Sequence, residues 1–467
     1  MTGETGNVTM PPAGLPSPEN ASRSFWLSEL SQVLKGHRGT EGLPTEADVN
    51  GGHCQPLVYG SVPEVAAFEL EVYEFMERFV REEGIECDWV TLTGVHAFLS
   101  KDMFELAAAD VEQLQKSHPE LAAQLEVVRP SDTTSLGQTL ASLRVPSADG
   151  VVIQKKAASL WPYKLVASVL ERLIAKFPAP RFNLQTNTPV TYLSRSEDNK
   201  GWVLTTPRGK ITAPKVLLAT NGYTSHLLPA FSDLIVPVRG QIGAIIPPTT
   251  ANATTPAQLS HSYVFGADPE STSTDPAPRD DYLVQRPLPS GELIYGGGRR
   301  FARSLGVGEW RDDEVEPDVA RYLRADLAPP LDLTPEGEPT LPGGELAAAY
   351  EWTGVMGYSR DHHAWVGAVP ESLGGGGEEG VVGLCGVYGH GMPAAALSAR
   401  EVVRLMRGEK EGVWRGEGGV RFPDEFVVTE ERVGKARGLP HLTQGWEATN
   451  FAGLIGVGGA HAEEKGM

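Results

Sequence analysis

Apolar residues recur at helical spacing in several stretches of this chain. Val65, Phe68, Val72, Phe75, Met76 and Phe79 follow a helical period, between a Ser61–Glu64 pair with capping-box spacing and a stop at Gly84. This predicts an amphipathic helix. A second follows over 159–177, where Leu160, Tyr163, Val166, Leu170, Leu173 and Phe177 share a face. Residues 100–118 and 119–125 read as two helices separated at Pro119, and 312–326 as another. Near the C-terminal end, Leu397, Val402, Val403 and Met406 predict a helix entered at Pro393, a residue that loses no hydrogen bond at a first helical position.

The remaining apolar runs are extended. Residues 85–92 and 95–99 read as short strands. The stretches 182–193, 202–206 and 210–218 read as three more, separated by the turn signals Asp198–Gly201 and Pro207–Gly209. From Pro237 onward, 239–246, 261–264, 282–286 and 292–295 are extended, with Pro/Thr/Ser/Asp-rich loops at 247–259 and 267–280. That alternation predicts a mostly antiparallel second domain. The fold class is α/β (α+β). Residues 1–22 are rich in Pro, Ser and Gly and are expected to be disordered. Residues 22–46 read as polar and irregular, with Ser24–Leu27 capping the fold from outside. Residues 371–380 form a glycine-rich loop, and the tail after Asn450 has no core pattern.

Composition narrows the function classes. With 467 residues the chain can bury a large core and should hold two domains. A formal charge of −20 argues against nucleic acid or an anionic membrane as partner, because phosphate binding needs clustered Lys and Arg. Three widely spaced cysteines (Cys54, Cys87, Cys385) provide neither a disulfide framework nor a zinc pattern. The first residues lack the charged start and apolar run of a signal peptide. No stretch reaches the roughly twenty apolar residues a bilayer requires. A reduced, cytoplasmic setting is expected, so the Asn-Xaa-Ser/Thr matches at Asn7, Asn20 and Asn252 carry little weight.

The chemistry centres on 383–406. An apolar run passes through a turn holding Gly386, Gly389 and Gly391 and enters the last strong helix. Such a turn is either simple punctuation before a packing helix or a ligand site, since a helix start directs N–H groups and a positive dipole end into space.

The Gly389-His390-Gly391-Met392 turn resembles the C-terminal flavin-contacting turn of FAD-dependent oxidoreductases of the D-amino-acid-oxidase, sarcosine-oxidase and glutamylputrescine-oxidase type. Further segments resemble the same family in the same order. Asn50–His53 is similar to the end of its glycine loop beside the flavin, and Leu217–Tyr223 to its second FAD-contacting strand end. Pro237–Gln241 and Gly296–Arg299 are similar to its substrate-domain markers, and Trp352–Asp361 to the strand returning to the flavin. The likeness runs from about Ser24 to Met406. It departs at one place. Family members begin with a strand, a GxGxxG turn and a helix that hold the FAD diphosphate. Here Thr45–Asp48 resembles the run-up to that strand, Val49 its start, and Asn50 already the later loop. A βαβ unit of about thirty residues is missing between them. The glycine run at 454–460 has the wrong spacing and position to replace it.

The resemblance implies an incomplete Rossmann-like FAD-binding domain made of 23–84, 146–235 and 350–410, truncated after Val49. It implies a substrate domain made of 85–145 and 236–349, with 411–467 as an extension and tail. FAD is the implied cofactor, contacted by Asn50, Gly51, Gly52, His53, Val190 (near the adenine), Ala219, Thr220, Asn221, Gly222, Gly389, His390, Gly391 and Met392. Loss of the diphosphate element sets that binding in question for this chain. A small amine or amino acid is the implied substrate and molecular oxygen the implied acceptor. His390, Arg239 and Tyr358 are the catalytic candidates. His390 is either a contributor at the ring edge or a structural donor. Arg239, Arg286 and Arg299 each either pair with a substrate carboxylate or make structural ion pairs. Tyr223, Tyr263 and Tyr358 either contact substrate or pack. Cys54 and Cys385 are either covalent flavin links or small buried hydrophobes. Asp361-His362-His363 does not read as a metal site, because adjacent histidines cannot face one ion from a strand. The expected function is FAD-dependent amine or amino-acid oxidation, possible only if flavin is held. The alternative is a non-catalytic, flavin-free binding or scaffold relative.

Overall fold

A computed structural model describes residues 10–16, 22–36, 50–250, 254–267, 279–327, 330–335, 338, 344–377, 380–409 and 419–442. Thr45–Asp48, Val49, the 454–460 glycine run and the tail after Asn450 lie outside the described residues.

The strands, in chain order, are β1 (His53–Cys54), β2 (Val90–Phe98), β3 (Leu125–Val128), β4 (Gly150–Ser159), β5 (Tyr192–Arg195), β6 (Trp202–Thr206), β7 (Gly209–Ala213), β8 (Val216–Leu218), β9 (Ile235–Ile245), β10 (His261–Ala267), β11 (Arg279–Gln285), β12 (Leu293–Gly296), β13 (Ala348–Ser359), β14 (Trp365–Ala368) and β15 (Val381–Cys385). A large sheet runs β1-β4-β2-β10-β11-β12-β9-β13, with β3 beside β4. Its pairs are antiparallel except β2 with β10. The core on one face gathers Val95, Val151, Tyr263, Leu283, Tyr295 and Leu323. The expected antiparallel domain is therefore present, but it also recruits β2 and β4 from earlier in the chain. A second sheet, β14-β15-β8, pairs β8 with β15 in parallel, and β5-β6-β7 form a separate meander.

The Pro63–Glu82 helix begins on Pro63 with Val62 as N-cap and no side-chain cap, so the Ser61–Glu64 capping box does not form. Proline in the first turn already presets the helical φ and lacks the orphan N–H. This helix and the one over Gly391–Met406 bury Val65, Phe68, Val72, Leu397 and Val402 together with Val366 and Val382 of the second sheet. The helix over Lys101–Ser117 is capped by Ser100, whose Oγ accepts the Met103 N–H at 3.4 Å, and it ends before Pro119 as expected. A further helix spans Pro162–Lys176.

Several sequence expectations need correction. The strands expected at 85–92 and 95–99 form one strand, β2, over Val90–Phe98. Strand β4 was not foreseen, because its lysines at 155 and 156 break the apolar pattern that the rest of the strand carries. Only Tyr192–Arg195 of 182–193 joins a sheet. The expected strand 210–218 is cut at Pro214 into β7 and β8, which belong to different sheets; proline cannot donate to a ladder. Phe25 and Trp26 lie inside rather than outside the fold. Trp26 is fully buried against Trp161 and Trp352, with ring centroids at 5.6 and 6.3 Å.

Two peripheral segments also pack. Ala13 is buried, donating its N–H to Ser225 Oγ at 3.0 Å, within a stretch expected to lack order. Phe422 and Phe426 meet Phe68 edge to face at 5.3 and 5.6 Å. Among the described residues no helix is long and apolar enough to cross a membrane.

Candidate functional site

A cavity of about 780 Å³ lies between the large sheet and the Gly391–Met406 helix. Its volume falls in the range of small-molecule and cofactor sites. Segments far apart in sequence converge on it: Asn50, Gly51 and His53; Asn221; Met356 and Tyr358 on β13; and Gly389 to Pro393.

Each is held by local chemistry. Asn50 Oδ1 accepts the Gly52 N–H at 2.7 Å, closing an Asx turn, and Gly52 takes the left-handed φ of +67° that this turn needs. Trp26 Nε1 donates to the Asn50 carbonyl, and the Leu160 N–H donates to Gly52 at 2.9 Å. On the opposite wall, the Tyr388 N–H donates to the Gly357 carbonyl at 3.0 Å, and the Val387 N–H donates to Asn221 Oδ1 at 3.3 Å. Gly389 then turns with φ +74°, and the helix starts at Gly391. The N–H groups of Gly391 and Met392 have no upstream carbonyl within the helix, and both residues line the cavity. These are anion- or carbonyl-accepting groups by position.

A chain of side chains forms the floor. His53 Nε2 donates to Ser262 Oγ at 3.0 Å, and Ser262 donates onward to Gln55 Oε1 at 3.2 Å. The Gln55 amide contacts His96 Nε2, and His96 Nδ1 meets Tyr59 Oη at 2.5 Å. The His96 ring is thus held between an amide and a phenol. Burial lowers the His96 pKa to about 3, helped by the other histidines, and burial lowers that of His53 to about 4. The floor is therefore uncharged at neutral pH.

His390 differs. Its Nδ1 lies 3.5 Å from Glu69 Oε1, while Glu69 Oε2 accepts the Leu57 N–H at 2.7 Å. Burial works against the His390 charge, but Glu69 outweighs it and raises the pKa. Replacing Glu69 by Gln should lower the His390 pKa, read as an earlier transition in a side-chain NMR titration. An unmoved transition would show that the carboxylate does not set the proton on His390.

The third wall carries opposite charges. Residues Asp280 and Tyr282 alternate on one face of β11 and line the cavity. Arg299 Nη2 binds Asp280 Oδ2, and Arg299 Nη1 donates to Tyr358 Oη at 3.2 Å. On the other face, Asp281 accepts the Gly298 N–H at 2.8 Å and the hydroxyls of Tyr295 and Tyr322, fixing the turn that carries Arg299. Burial opposes the Arg299 charge, yet Asp280 raises its pKa overall, so the guanidinium stays protonated.

The cavity thus brings together Asn50, Gly51, His53, Asn221, Tyr358, Gly389, His390, Gly391 and Met392 among the expected residues. It does not take in Gly52, Val190, Ala219, Thr220, Gly222 or Arg239. Gly52 and Gly222 serve as close-packing positions behind the wall: a Cβ on either would come within 2.6 and 2.7 Å of a backbone oxygen. Val190 and Ala219–Thr220 adjoin lining residues Pro189 and Asn221. Arg239 is buried, donating to Glu316 and lying 3.4 Å from Glu314. Its strand turns the side chain to the far face of the sheet, where those acids sit. Arg286 is likewise outside, paired with Asp88 at 2.6 Å and stacked near Trp26 and Trp161. Cys54, Cys87 and Cys385 are buried thiols, with pKa values pushed by burial up to about 12, 11 and 11. None lines the cavity.

Sequence reasoning did not find Glu69, Gln55, His96, Asp280 or Tyr282. Glu69 did leave a signal: an acid on the apolar stripe between Val65 and Val72 is misplaced unless it has a buried partner.

Comparisons with known proteins agree with this architecture. A glycine oxidase from Geobacillus kaustophilus superposes with a TM-score of 0.55 at 16% identity, covering 80% of this chain and 84% of that one. An iminodiacetate oxidase from Chelativorans sp. BNC1 does so with 0.55 at 14% identity, covering 80% and 89%. NikD, an amino acid oxidase of nikkomycin biosynthesis, follows with 0.53 at 14%, covering 80% and 88%. At such identities these likenesses speak to the fold. No curated protein sequence matches the chain. The sequence profile of the DAO family, described as FAD dependent oxidoreductase, matches residues 42–405. With most of its length inside that profile and its segments converging as described, the chain belongs to the FAD-dependent oxidoreductase family.

Proposed function

We propose that this chain is an oxidoreductase that holds a flavin ring in the cavity and oxidises a small amine or amino acid there, with molecular oxygen as acceptor. The observation that carries the reading is the convergence of the Asn50–Gly51 turn, Asn221, β13 and the Gly389–Pro393 turn on one cavity. The residues fit a flat heteroaromatic ring with carbonyl oxygens at one edge: orphan N–H groups of Gly391 and Met392 would donate to that edge, and Asn50–Gly51 would flank it. Flavin, when bound, supplies the hydride acceptor for oxidation of a C–H beside nitrogen. This chain's own groups do the rest. Ile242, Val264, Val355 and Met356 exclude water, His390 keeps a proton at Nδ1 toward Glu69, and the neutral His53 floor adds no competing charge.

The diphosphate is a different matter. Among the described residues no GxGxxG turn joins a strand to a helix; the glycine turn between β15 and the Gly391–Met406 helix has a different spacing. Strand β8 is the end strand of its sheet among the described residues, and Leu217 on it is 39% exposed. An edge of that kind can take a further βαβ unit, and left open it is the observation that favours the flavin-free scaffold reading.

Titration of flavin fluorescence with the purified full chain separates the two. Riboflavin and FAD should both be quenched, with affinities within about threefold of each other, because ring contacts supply nearly all the binding. Restoring a GxGxxG βαβ unit between Val49 and Asn50 should raise the FAD affinity at least about a hundredfold, the equivalent of two good charge-assisted contacts. If neither flavin is quenched by either protein, the oxidoreductase reading is wrong and the scaffold reading stands.

A further inference from the structure

The three arginines that could have gripped a substrate carboxylate are all committed elsewhere. Arg239 and Arg286 lie outside the cavity in ion pairs with Glu316 and Asp88. Arg299 is the one Lys or Arg lining the cavity among the described residues, and its guanidinium is already shared between Asp280 and the Tyr358 hydroxyl. Asp280 sits on the cavity face of β11 and retains some exposure toward it, 12% for its side chain. Tyr223, Tyr282 and Tyr358 supply electron-rich rings around the same space.

We infer that the substrate is an organic amine without an α-carboxylate, its ammonium group drawn to the Asp280 wall and its body to the tyrosines and aliphatic side chains. This rests on the reading of the cavity as an amine-oxidising site and narrows its substrate class. The physical case is a comparison of two ligands. A carboxylate would have to displace Asp280 from Arg299, breaking a pair that is mostly removed from water, or else lie beside a like charge. An ammonium faces no such exchange: Arg299 engages Asp280 through Oδ2, a carboxylate accepts through both of its oxygens, and tyrosine faces attract cations. The neutral floor histidines offer a carboxylate no compensating charge at neutral pH. Whatever charge His390 carries is matched by Glu69 beside it.

The test uses a matched pair that differs by the carboxylate alone, phenethylamine and phenylalanine (both enantiomers), at pH 7.5, where both carry an ammonium. Binding to the full chain equilibrated with excess FAD is measured by isothermal titration calorimetry. Phenethylamine should bind at least about tenfold more tightly than either enantiomer. In the Asp280→Asn variant, with its thermal melt recorded as a folding control, the order should reverse, because Arg299 is then available to a carboxylate. Equal or tighter binding of phenylalanine to the wild-type chain overturns the inference while leaving the oxidoreductase reading intact. Failure of all three ligands to bind at millimolar concentration overturns both.

Discussion

Replacing Gly222 by alanine should destabilise the protein by about 2–3 kcal/mol and weaken flavin binding at least tenfold. The reason is space. A Cβ at Gly222 would lie 2.7 Å from the Met356 carbonyl oxygen and 2.9 Å from Val355 Cγ1. Across the contact, a Cβ at Gly357 would lie 2.5 Å from Asn221 Oδ1 and 2.8 Å from the Gly222 nitrogen. Two glycines thus let a turn and a strand touch backbone to backbone. Strand β13 cannot yield, since Met356 and Gly357 are registered against Val238 and Pro237 of β9. The turn must move, taking Asn221 away from Val387 and opening the wall that leads to Gly389. A control is at hand in Gly434, which sits in the Glu430–Gly438 helix with nothing within 4 Å of a Cβ. Alanine there should be neutral or stabilising by roughly 0.5–1 kcal/mol. If urea midpoints and flavin affinities of the Gly222→Ala and Gly434→Ala variants agree, the close approach of turn and strand does not govern the site.

Acid should unfold the wild-type chain through its buried neutral histidines. His96 is 4% exposed, with a pKa of about 3 in the fold against 6.5 when free. A folded pKa depressed in this way means that the unfolded chain binds the extra proton first. The stability that the neutral form contributes is complete above pH 6.5. It is lost as pH falls from there toward 3, and His53 follows the same course down to about 4. The loss from His96 alone is on the order of 5 kcal/mol by linkage, a large part of a typical net stability. His390 acts in the opposite sense. Its raised pKa favours the fold at low pH, and that contribution disappears as pH rises through its folded value. Urea unfolding at pH 7 and pH 4 measures the balance. The His96→Gln variant, which cannot take up a proton, should lose several kcal/mol less than wild type over that interval. Equal losses in the two proteins would place the acid sensitivity elsewhere, among the surface carboxylates.

Both expectations concern residues whose roles the chain reveals very unevenly. The helix over 63–82 and the helix entered near Pro393 were legible, because a burial stripe with period 3.6 is a local property of side-chain order. The glycine turns beside the cavity were legible for a similar reason. Left-handed positions such as Gly52 and Gly389 are used where the backbone must reverse at once. Strand β4 was not, since its lysines hide a strand that is buried elsewhere along its length. Nor was the fate of the arginines. Arg239, Arg286 and Arg299 look alike in sequence, and only their acid partners, up to 198 residues away, tell them apart.

By itself, then, the amino-acid order determined the helices, the turns and the membership of their segments in one flavoenzyme pattern, because each depends on neighbours a few residues away. Tertiary structure decided which of those turns share a wall, which histidines lose their charge and which guanidinium reaches the cavity. Those outcomes depend on burial and on partners brought near by sheet pairing, and neither distance nor desolvation is written in any short stretch of chain.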